Sequence, residues 1–382
     1  MRYDKLYFDR KISRANTGSK KWDKYQGTEI LPFWVADMDF PTPTFILDKI
    51  KERLEHPIMG YSDYTPMLND SFCQWLLTKH NWHIDPEWII WTPGVVSGLN
   101  VAALTLASKS SILIPTPVYP PFLEIAQNSG LKCVSTPMKH FNLTYSFDFD
   151  QMEKDMTPDV RMLFICNPQN PTGRSFKRNE LEELAAFIHK HELILVSDEI
   201  HCSILLDPHE SHLSIANEFP EILEKTISLY SAAKTYNIPG MRCSATIIPR
   251  DSLRNSFRAA MNGVVPSVGP LESLASMAAF SDNTDWTFQL NSYLSKNCRL
   301  LKDAMGDRMR TPDATYLAWI WIDDLKIDDA EKFFDQYGVG ISPGEHFGDH
   351  RFIRFNFACP EKQLHEGIER LKFAISQAFL TR

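Results

Sequence analysis

The chain has 382 residues, of which 43% are hydrophobic and 23% charged, a balance typical of a soluble globular protein with a large core. A formal net charge of -8 argues against a nucleic-acid partner, because neutralising phosphates requires a basic surface. The sequence lacks a long apolar run, a signal-peptide core, CxxC pairs and metal-ligand spacing, so we expect a cytoplasmic protein with reduced thiols, no membrane contact and no metal.

Helical and strand patterns alternate through the first two thirds of the chain. Residues 43–56, "PTFILDKIKERLEH", predict a helix with Ile46, Ile50 and Leu54 on one apolar stripe. Six later runs are rich in Ile, Leu and Val and are bounded by Pro, Gly or Asn, and they predict strands buried on both faces. These runs span residues 110–117, 131–138, 161–168, 193–199, 226–232 and 243–249.

A helix is predicted between the third and fourth of these strands. Its apolar face carries Leu181, Leu184, Phe187 and Ile188, and the charged residues lie on the opposite face. A strand, a helix and a strand in this order indicate a right-handed βαβ unit in a mostly parallel sheet. The sequence therefore predicts an α/β fold.

The last hundred residues or so show a different pattern. "TYLAWIWIDDL" predicts a strand, "DDAEKFFDQYG" a short amphipathic helix, and "EKQLHEGIERLKFAISQAF" a final helix. This order indicates a smaller α+β unit, and we place its boundary near Ser281. No low-complexity linker or repeat marks the join.

Residues with useful chemistry follow several of the predicted strands. Ligands of open α/β sheets bind at the carboxyl ends of the strands, so these residues are the first candidates for a site. A lysine desolvated there becomes a nucleophilic amine that can form a Schiff base, and an aspartate can keep a pyridinium ring protonated as an electron sink. An acid, an amide, an aromatic and a lysine at one edge therefore favour a bound pyridinium aldehyde. The candidates are Tyr119, Asn167, Asn170, Asp198, His201 and Lys234.

A phosphate group on such a cofactor would need its own donors. "WTPGVVSGLN" places a Pro-Gly pair before an apolar helix, whose first backbone N–H groups are free to bind an anion. Arginine suits phosphate through its planar fork of donors. The Pro-Gly pair is equally compatible with an ordinary turn before a helix. The phosphate candidates are the N–H groups of Gly94, Val95 and Val96, with Ser231 and Arg242.

Each of these residues also has a structural interpretation. Lys234 fits a solvated loop, and Asp198 fits a helix N-cap. Tyr119 fits a turn aromatic among prolines. A further candidate, Arg354 in the later run "FIRFN", fits an ion pair with any acid. His201 fits a buried structural histidine.

The motifs N-P-x-N-P-T-G, S-D-E-I-H and S-x-x-K-T-Y-N-I-P-G, in this order, resemble the fold-type I pyridoxal-phosphate enzymes of aminotransferase class I/II. "LPFWVADMDFPTP", "MGYSDYTP" and "TPVYPPF" resemble the MalY/PatB branch of cysteine-S-conjugate and cystathionine β-lyases. The resemblance runs from about Lys21 to Ala374. It implies a large domain, residues 41–281, with a mostly parallel seven-stranded sheet flanked by helices. Residues 1–40 and 282–382 would form the small domain.

The resemblance also implies roles for individual residues. Pyridoxal 5'-phosphate would be bound covalently to Lys234, with Asp198 at the ring nitrogen, Asn170 and His201 at the phenolic oxygen, and Tyr119 stacked on the ring. Arg354 would grip the substrate α-carboxylate, and Val35 and Ala36 would cover it. Tyr61, or its neighbour Tyr64, would reach the phosphate of the other subunit in a homodimer with active sites at the interface.

The implied activity is a β C–S lyase in which Lys234 acts as the base at the substrate Cα. Loss of a thiolate from Cβ would lead to pyruvate and ammonia. Two alternatives are an aminotransferase that uses the same residues and a non-catalytic regulator that keeps the fold. The leaving-group side of the pocket is not assigned, because the aromatics there fit a core equally well. These aromatics are Trp286, Tyr316, Trp319 and Phe347.

Overall fold

The computed structural model describes residues 3–380, which form helices around one large and several small sheets. The helices are α1 (Lys5–Phe8), α2 (Lys20–Asp23), α3 (Thr44–Leu54), α4 (Thr65–His80), α5 (Val95–Leu104), α6 (Pro120–Ser129), α7 (Phe149–Asp155), α8 (Arg178–Lys190), α9 (Ile215–Glu218), α10 (Asp251–Met261), α11 (Pro270–Phe280), α12 (Trp286–Met305), α13 (Ala330–Gln336) and α14 (Glu361–Leu380). The strands are β1 (Leu31–Pro32), β2 (Ile89–Thr92), β3 (Ser111–Thr116), β4 (Lys132–Pro137), β5 (Lys139–Phe141), β6 (Thr144–Ser146), β7 (Val160–Cys166), β8 (Ile194–Asp198), β9 (Thr226–Tyr230), β10 (Ser244–Ile247), β11 (Leu317–Trp321), β12 (Val339–Gly340), β13 (Ser342–Pro343) and β14 (Phe352–Asn356).

The large sheet has seven strands in the order β2-β10-β9-β8-β7-β3-β4. Strands β4, β3, β7, β8 and β9 are parallel neighbours, whereas β10 is antiparallel to both β9 and β2. This confirms the predicted fold class, a mostly parallel sheet flanked by helices. The six predicted strands are all present.

The seventh strand, β2, is not among the predicted strands. Its four residues, "IIWT", run straight into the Pro-Gly turn before α5, so the apolar run is too short to stand out from its surroundings. Pairing with β10 stabilises it at the edge of the sheet.

Two details of the predicted burial were wrong. Strand β4 is the other edge strand, and Lys132, Cys133 and Ser135 on it are exposed, because only β3 pairs with it in the large sheet. On α3, Ile46 is fully buried and Ile50 partly buried, but Leu54 at the helix end is 51% exposed.

Helix α8 confirms the predicted βαβ unit. Its predicted apolar residues are all buried, and β7 and β8 on either side of it are parallel neighbours. Helix α5 lies close against the sheet, since a Cβ at Gly98 would collide with the Leu229 side chain of β9. This close approach holds the N-terminus of α5 over the carboxyl end of β9.

The C-terminal region forms the predicted α+β arrangement. Strands β11, β14 and β13 make an antiparallel sheet, and apolar residues of β11 and β14 share one buried cluster with residues of α12 and α14. The N-terminal segment joins this region, because β1 pairs with β12. These contacts support the small domain that we propose from residues 1–40 and 282–382, although its core is continuous with that of the large domain. Ser281 lies in the short connection between α11 and α12.

None of the helices between residues 3 and 380 combines the length and the apolar composition that crossing a bilayer requires.

Candidate active site

A cavity of about 470 Å³ lies at the carboxyl edge of the large sheet. The segments that follow β3, β7, β8 and β9 converge on it, as expected for the ligand site of an open α/β sheet. Five site candidates from the sequence are not part of its lining: Val35, Tyr61, its alternative Tyr64, Asn167 and Arg354. Asn167 instead donates through Nδ2 to the Leu213 carbonyl oxygen at 3.1 Å. The predicted residues that line it are Ala36, Gly94, Val95, Val96, Tyr119, Asn170, Asp198, His201, Ser231, Lys234 and Arg242.

Lys234 holds its amine inside the cavity. Its Nζ donates a hydrogen bond of 2.6 Å to the carbonyl oxygen of Ala36. Burial, assisted by the positive charge of Arg354, lowers the pKa of Lys234 to about 8. The amine therefore loses its proton easily and becomes nucleophilic, and the interpretation of Lys234 as a solvated loop residue is wrong.

Asp198 ends the neighbouring strand β8 and is 4% exposed. Its Oδ1 accepts from the Ile200 N–H at 3.0 Å, and the Cys166 thiol lies 3.9 Å from its Oδ2. The residues that follow form turns and not an α-helix, so Asp198 is not a helix N-cap. Burial raises the pKa of Asp198 to about 7, and a cation placed against this carboxyl would lower that pKa again.

Arg354 and Asn170 form a buried pair beside the cavity. Arg354 donates through Nη1 to Asn170 Oδ1 at 2.9 Å and through Nη2 to the Trp34 carbonyl oxygen at 2.7 Å. Its guanidinium also lies 4.6 Å from the Phe347 ring centroid, while its buried Nε has no partner within the described residues. Burial lowers the pKa of Arg354 to about 10. No carboxylate pairs with this arginine in the described part of the chain, which leaves it able to bind an acidic ligand.

Residues 28–371 match the model of the family described as aminotransferase class I and II. The chain belongs to this family.

The relatives of this aminotransferase-family chain include well-matched lyases. It is 33% identical to cystathionine beta-lyase PatB of Bacillus subtilis (strain 168), over 97% of this chain and 100% of PatB. Cystalysin from Treponema denticola, whose crystal structure contains a pyridoxal 5'-phosphate cofactor, is 30% identical, with a TM-score of 0.93 over 99% of this chain and 100% of cystalysin. The pyridoxal-phosphate-bound C-S lyase from Staphylococcus hominis is 31% identical, with a TM-score of 0.90 over 96% and 97% of the two chains.

The predicted phosphate-binding part of the cavity differs in two donors from the prediction. The Gly94 N–H already donates to the Thr92 carbonyl oxygen at 2.8 Å, so it is not a free donor. The Ser231 hydroxyl donates to the Cys243 carbonyl oxygen at 2.6 Å, so its single hydrogen is also engaged. The free donors are the N–H groups of Val95 and Val96 at the start of α5, together with the exposed Arg242.

Other predicted residues take varied positions. His201 is buried, its Nδ1 has no partner within residues 3–380, and burial holds its pKa well below the usual value, so the ring is neutral. Tyr119 lines the cavity just before α6, and burial raises its pKa. The backbone of Val35 is fixed by Asn356, whose Nδ2 donates to the Val35 carbonyl oxygen at 2.7 Å. Tyr61 is fully exposed, away from the cavity of its own chain.

Three residues at this site are missing from the sequence analysis or unassigned in it. Cys166 ends β7 next to Asp198, and its position at a strand end was the available signal. Tyr316 donates to the Ala36 carbonyl oxygen at 3.0 Å, the same acceptor that Lys234 uses. Lys20 lines the cavity from the N-terminal segment, and nothing in the local sequence pattern indicated this.

The pKa of Lys234 leads to a testable pH dependence. Only the neutral amine attacks an aldehyde, so the rate at which cofactor-free protein binds pyridoxal phosphate should rise about tenfold between pH 7 and pH 9. The charge of Arg354 lowers the pKa of Lys234. Arg354→Met should therefore raise the pH at which the rate of cofactor binding is half of its maximum. Stopped-flow absorbance measures the rate of cofactor binding as a function of pH in the wild type and in the variant. Arg354→Lys keeps the charge and serves as the control, and an unchanged midpoint in Arg354→Met would contradict the coupling.

Proposed function

We propose that this chain is a pyridoxal-phosphate-dependent β C–S lyase. It would cleave cystathionine, cysteine or cysteine S-conjugates to a thiol, pyruvate and ammonia. The observation that carries the proposal is the amine of Lys234 beside the buried carboxyl of Asp198, at adjacent strand ends in one cavity. The names of PatB and of the C-S lyase from Staphylococcus hominis support the same reaction.

The residues of the cavity fit the cofactor. Lys234 would bind its aldehyde carbon, and Asp198 would hold a proton on the ring nitrogen. Asn170 accepts from Arg354 through Oδ1, which leaves its NH₂ group free to donate to the phenolic oxygen, where the neutral His201 also fits. Tyr119 would lie along the ring. The phosphate would bind at the start of α5 and at Arg242.

The bound cofactor supplies an electron sink for the charge that develops at the substrate Cα. Arg354 binds the α-carboxylate through its planar fork of donors and thereby fixes the orientation of Cα. Lys234 is the base that we assign to the Cα proton, and a pKa of about 8 allows it to take that proton at neutral to mildly alkaline pH. The buried setting of Asp198 and His201 excludes water from the Asp198 carboxylate and from the neutral His201 ring. A thiolate on Cβ is a good leaving group, which favours elimination.

The reaction is tested with cystathionine and no added 2-oxo acid. We expect thiol and pyruvate in equal amounts, measured by thiol titration and by a coupled lactate dehydrogenase assay. Product that appears only when a 2-oxo acid is supplied, with stoichiometric transfer of the amino group, would establish the aminotransferase alternative instead.

We also propose a homodimer in which Tyr61 reaches the phosphate site of the other subunit. The segment around it is fully exposed and carries apolar side chains, with Ile58 66% and Met59 52% exposed, which is typical of a surface that a partner covers. The neighbouring Tyr64 is partly buried in its own chain, which favours Tyr61 for this role.

Subunit mixing tests this arrangement. Tyr61→Ala should weaken cofactor affinity about tenfold or more, since it removes a hydrogen bond to a charged group. The Tyr61→Ala protein is then mixed in equal amounts with the inactive Lys234→Ala protein at limiting cofactor. Half of the random dimers are hybrids, and each hybrid has one intact site of two, so the mixture should recover about one quarter of wild-type activity. The same mixture made with Tyr64→Ala is the control. Absence of recovery in the Tyr61 mixture would exclude a shared site.

We further propose a cytoplasmic location. All seven cysteines lie among the described residues and none is in a disulfide, which is typical of a reducing compartment. Fractionation of the native host with an antibody to the chain tests this.

A further inference from the structure

Lys20 is a cation at the active-site cavity that the reaction does not use. It begins α2, its side chain is exposed, and it contributes to the cavity wall close to Ala36. Within the described residues it forms no ion pair, and its ammonium lies 6.0 Å from the centroid of the Trp34 ring. The carbonyl oxygen of Trp34 accepts from Arg354, so Trp34 contacts both Lys20 and the arginine that we propose for the substrate α-carboxylate.

The backbone at Lys20 is held in place by its neighbours. The side chain of Lys21 is fully buried and pairs with Asp39 at 2.8 Å. The Trp34 indole N–H donates to the Lys21 carbonyl oxygen at 3.0 Å. Lys20 is therefore attached to a fixed point at the cavity, and only its flexible side chain moves.

Each of the other cations at the site has an anion or a reaction partner in the proposed function, but Lys20 has none. In the proposed complex Arg242 would bind the cofactor phosphate, Arg354 the substrate α-carboxylate, and Lys234 the aldehyde carbon. Asp198 is the only carboxylate among the residues that line the cavity, and the ring nitrogen is its partner. One positive charge at the cavity wall, that of Lys20, thus remains without an anion.

We propose that Lys20 selects substrates whose sulfur substituent ends in a carboxylate, by pairing its ammonium with that group. The inference rests on the proposed lyase function and narrows its substrate class. Such a partly exposed ion pair contributes to binding and not to the chemical step, so its loss should raise KM and leave kcat unchanged.

The test compares S-(2-carboxyethyl)-L-cysteine with its neutral amide, S-(2-carbamoylethyl)-L-cysteine, in steady-state assays of pyruvate release by the holoenzyme. In Lys20→Met, KM for the acid should rise about fivefold while KM for the amide stays constant. Lys20→Arg should retain the preference for the acid. Lys24→Met is the matched control, because Lys24 lies 4.5 Å from the same Trp34 ring but is not part of the cavity wall.

The outcomes separate the two proposals. Equal effects of Lys20→Met on the acid and the amide, or an equal effect of Lys24→Met, would overturn the role of Lys20 and leave the lyase intact. Absence of pyruvate from both compounds in a wild type that still cleaves cystathionine would overturn the role of Lys20 alone. Absence of pyruvate from cystathionine as well would overturn both proposals.

Discussion

Replacement of Lys234 with alanine is expected to lower the rate of pyruvate formation by about four orders of magnitude or more. The variant loses both the amine that binds the cofactor and the base that takes the Cα proton, and a positioned base alone contributes up to about 10⁴-fold. It should also lose the near-visible absorbance of the bound cofactor. Borohydride should then fix no cofactor to the protein, as measured by mass spectrometry of the intact chain.

The fold should survive this change. Burial disfavours the charged form of Lys234, so removing the amine should not destabilise the cofactor-free protein, and thermal unfolding should show an equal or higher Tm. Lys109→Ala, at an exposed loop lysine between α5 and β3, is the control and should keep full activity. If Lys234→Ala retained its absorbance and turnover, another lysine would hold the cofactor. A non-catalytic regulator would keep its partner binding in this variant.

Asp198→Asn is expected to lower kcat by a factor of roughly 10² to 10⁴. The amide has the same shape but cannot keep the ring nitrogen cationic. Loss of one partner from a buried ion pair costs about 3 to 5 kcal/mol, and each 1.36 kcal/mol of barrier is a factor of ten in rate. Steady-state kinetics measures the loss, and the absorbance spectrum as a function of pH should shift because the ring nitrogen loses its proton more easily. Asp198→Glu keeps the charge and should lose less.

Glu199→Gln is the matched control for Asp198→Asn, since it is the same chemical change one residue further on. Glu199 is fully buried but is not part of the cavity wall. Its carboxylate accepts from Ser197 Oγ at 2.8 Å and from Tyr230 Oη at 3.2 Å. Its replacement should lower Tm and leave the pH dependence of the cofactor spectrum unchanged. Equal spectral shifts in the two variants would show that Asp198 has no specific role at the ring nitrogen.

Local sequence patterns were sufficient for the central part of this site. Parallel strands follow one another through βαβ units, so an apolar run and the polar residues after it already define which residues meet at the carboxyl edge. Asn170, Asp198 and Lys234 therefore converge as expected. The same patterns identified α8 and the C-terminal helices, because their apolar spacing is intrinsic to the segment.

The hydrogen bonds of individual donors depended on the tertiary structure. Motif spacing indicates that Ser231 lies near the anion site, but not that the carbonyl oxygen of Cys243 accepts its hydrogen. The same limit applies to β2, which becomes a strand only through its pairing with β10.

The N-terminal segment shows most clearly what only the fold decided. The acceptor of the Lys234 amine is the carbonyl oxygen of Ala36, 198 positions away in the chain, and Tyr316 reaches the same oxygen from 280 positions away. Lys20 also lines the cavity because the N-terminal segment packs beside it. The sequence by itself determined which chemical groups end the strands, because that information is local. The tertiary structure determined which distant backbone and charged groups surround them, because such contacts depend on how separate segments pack and leave no periodicity in the chain.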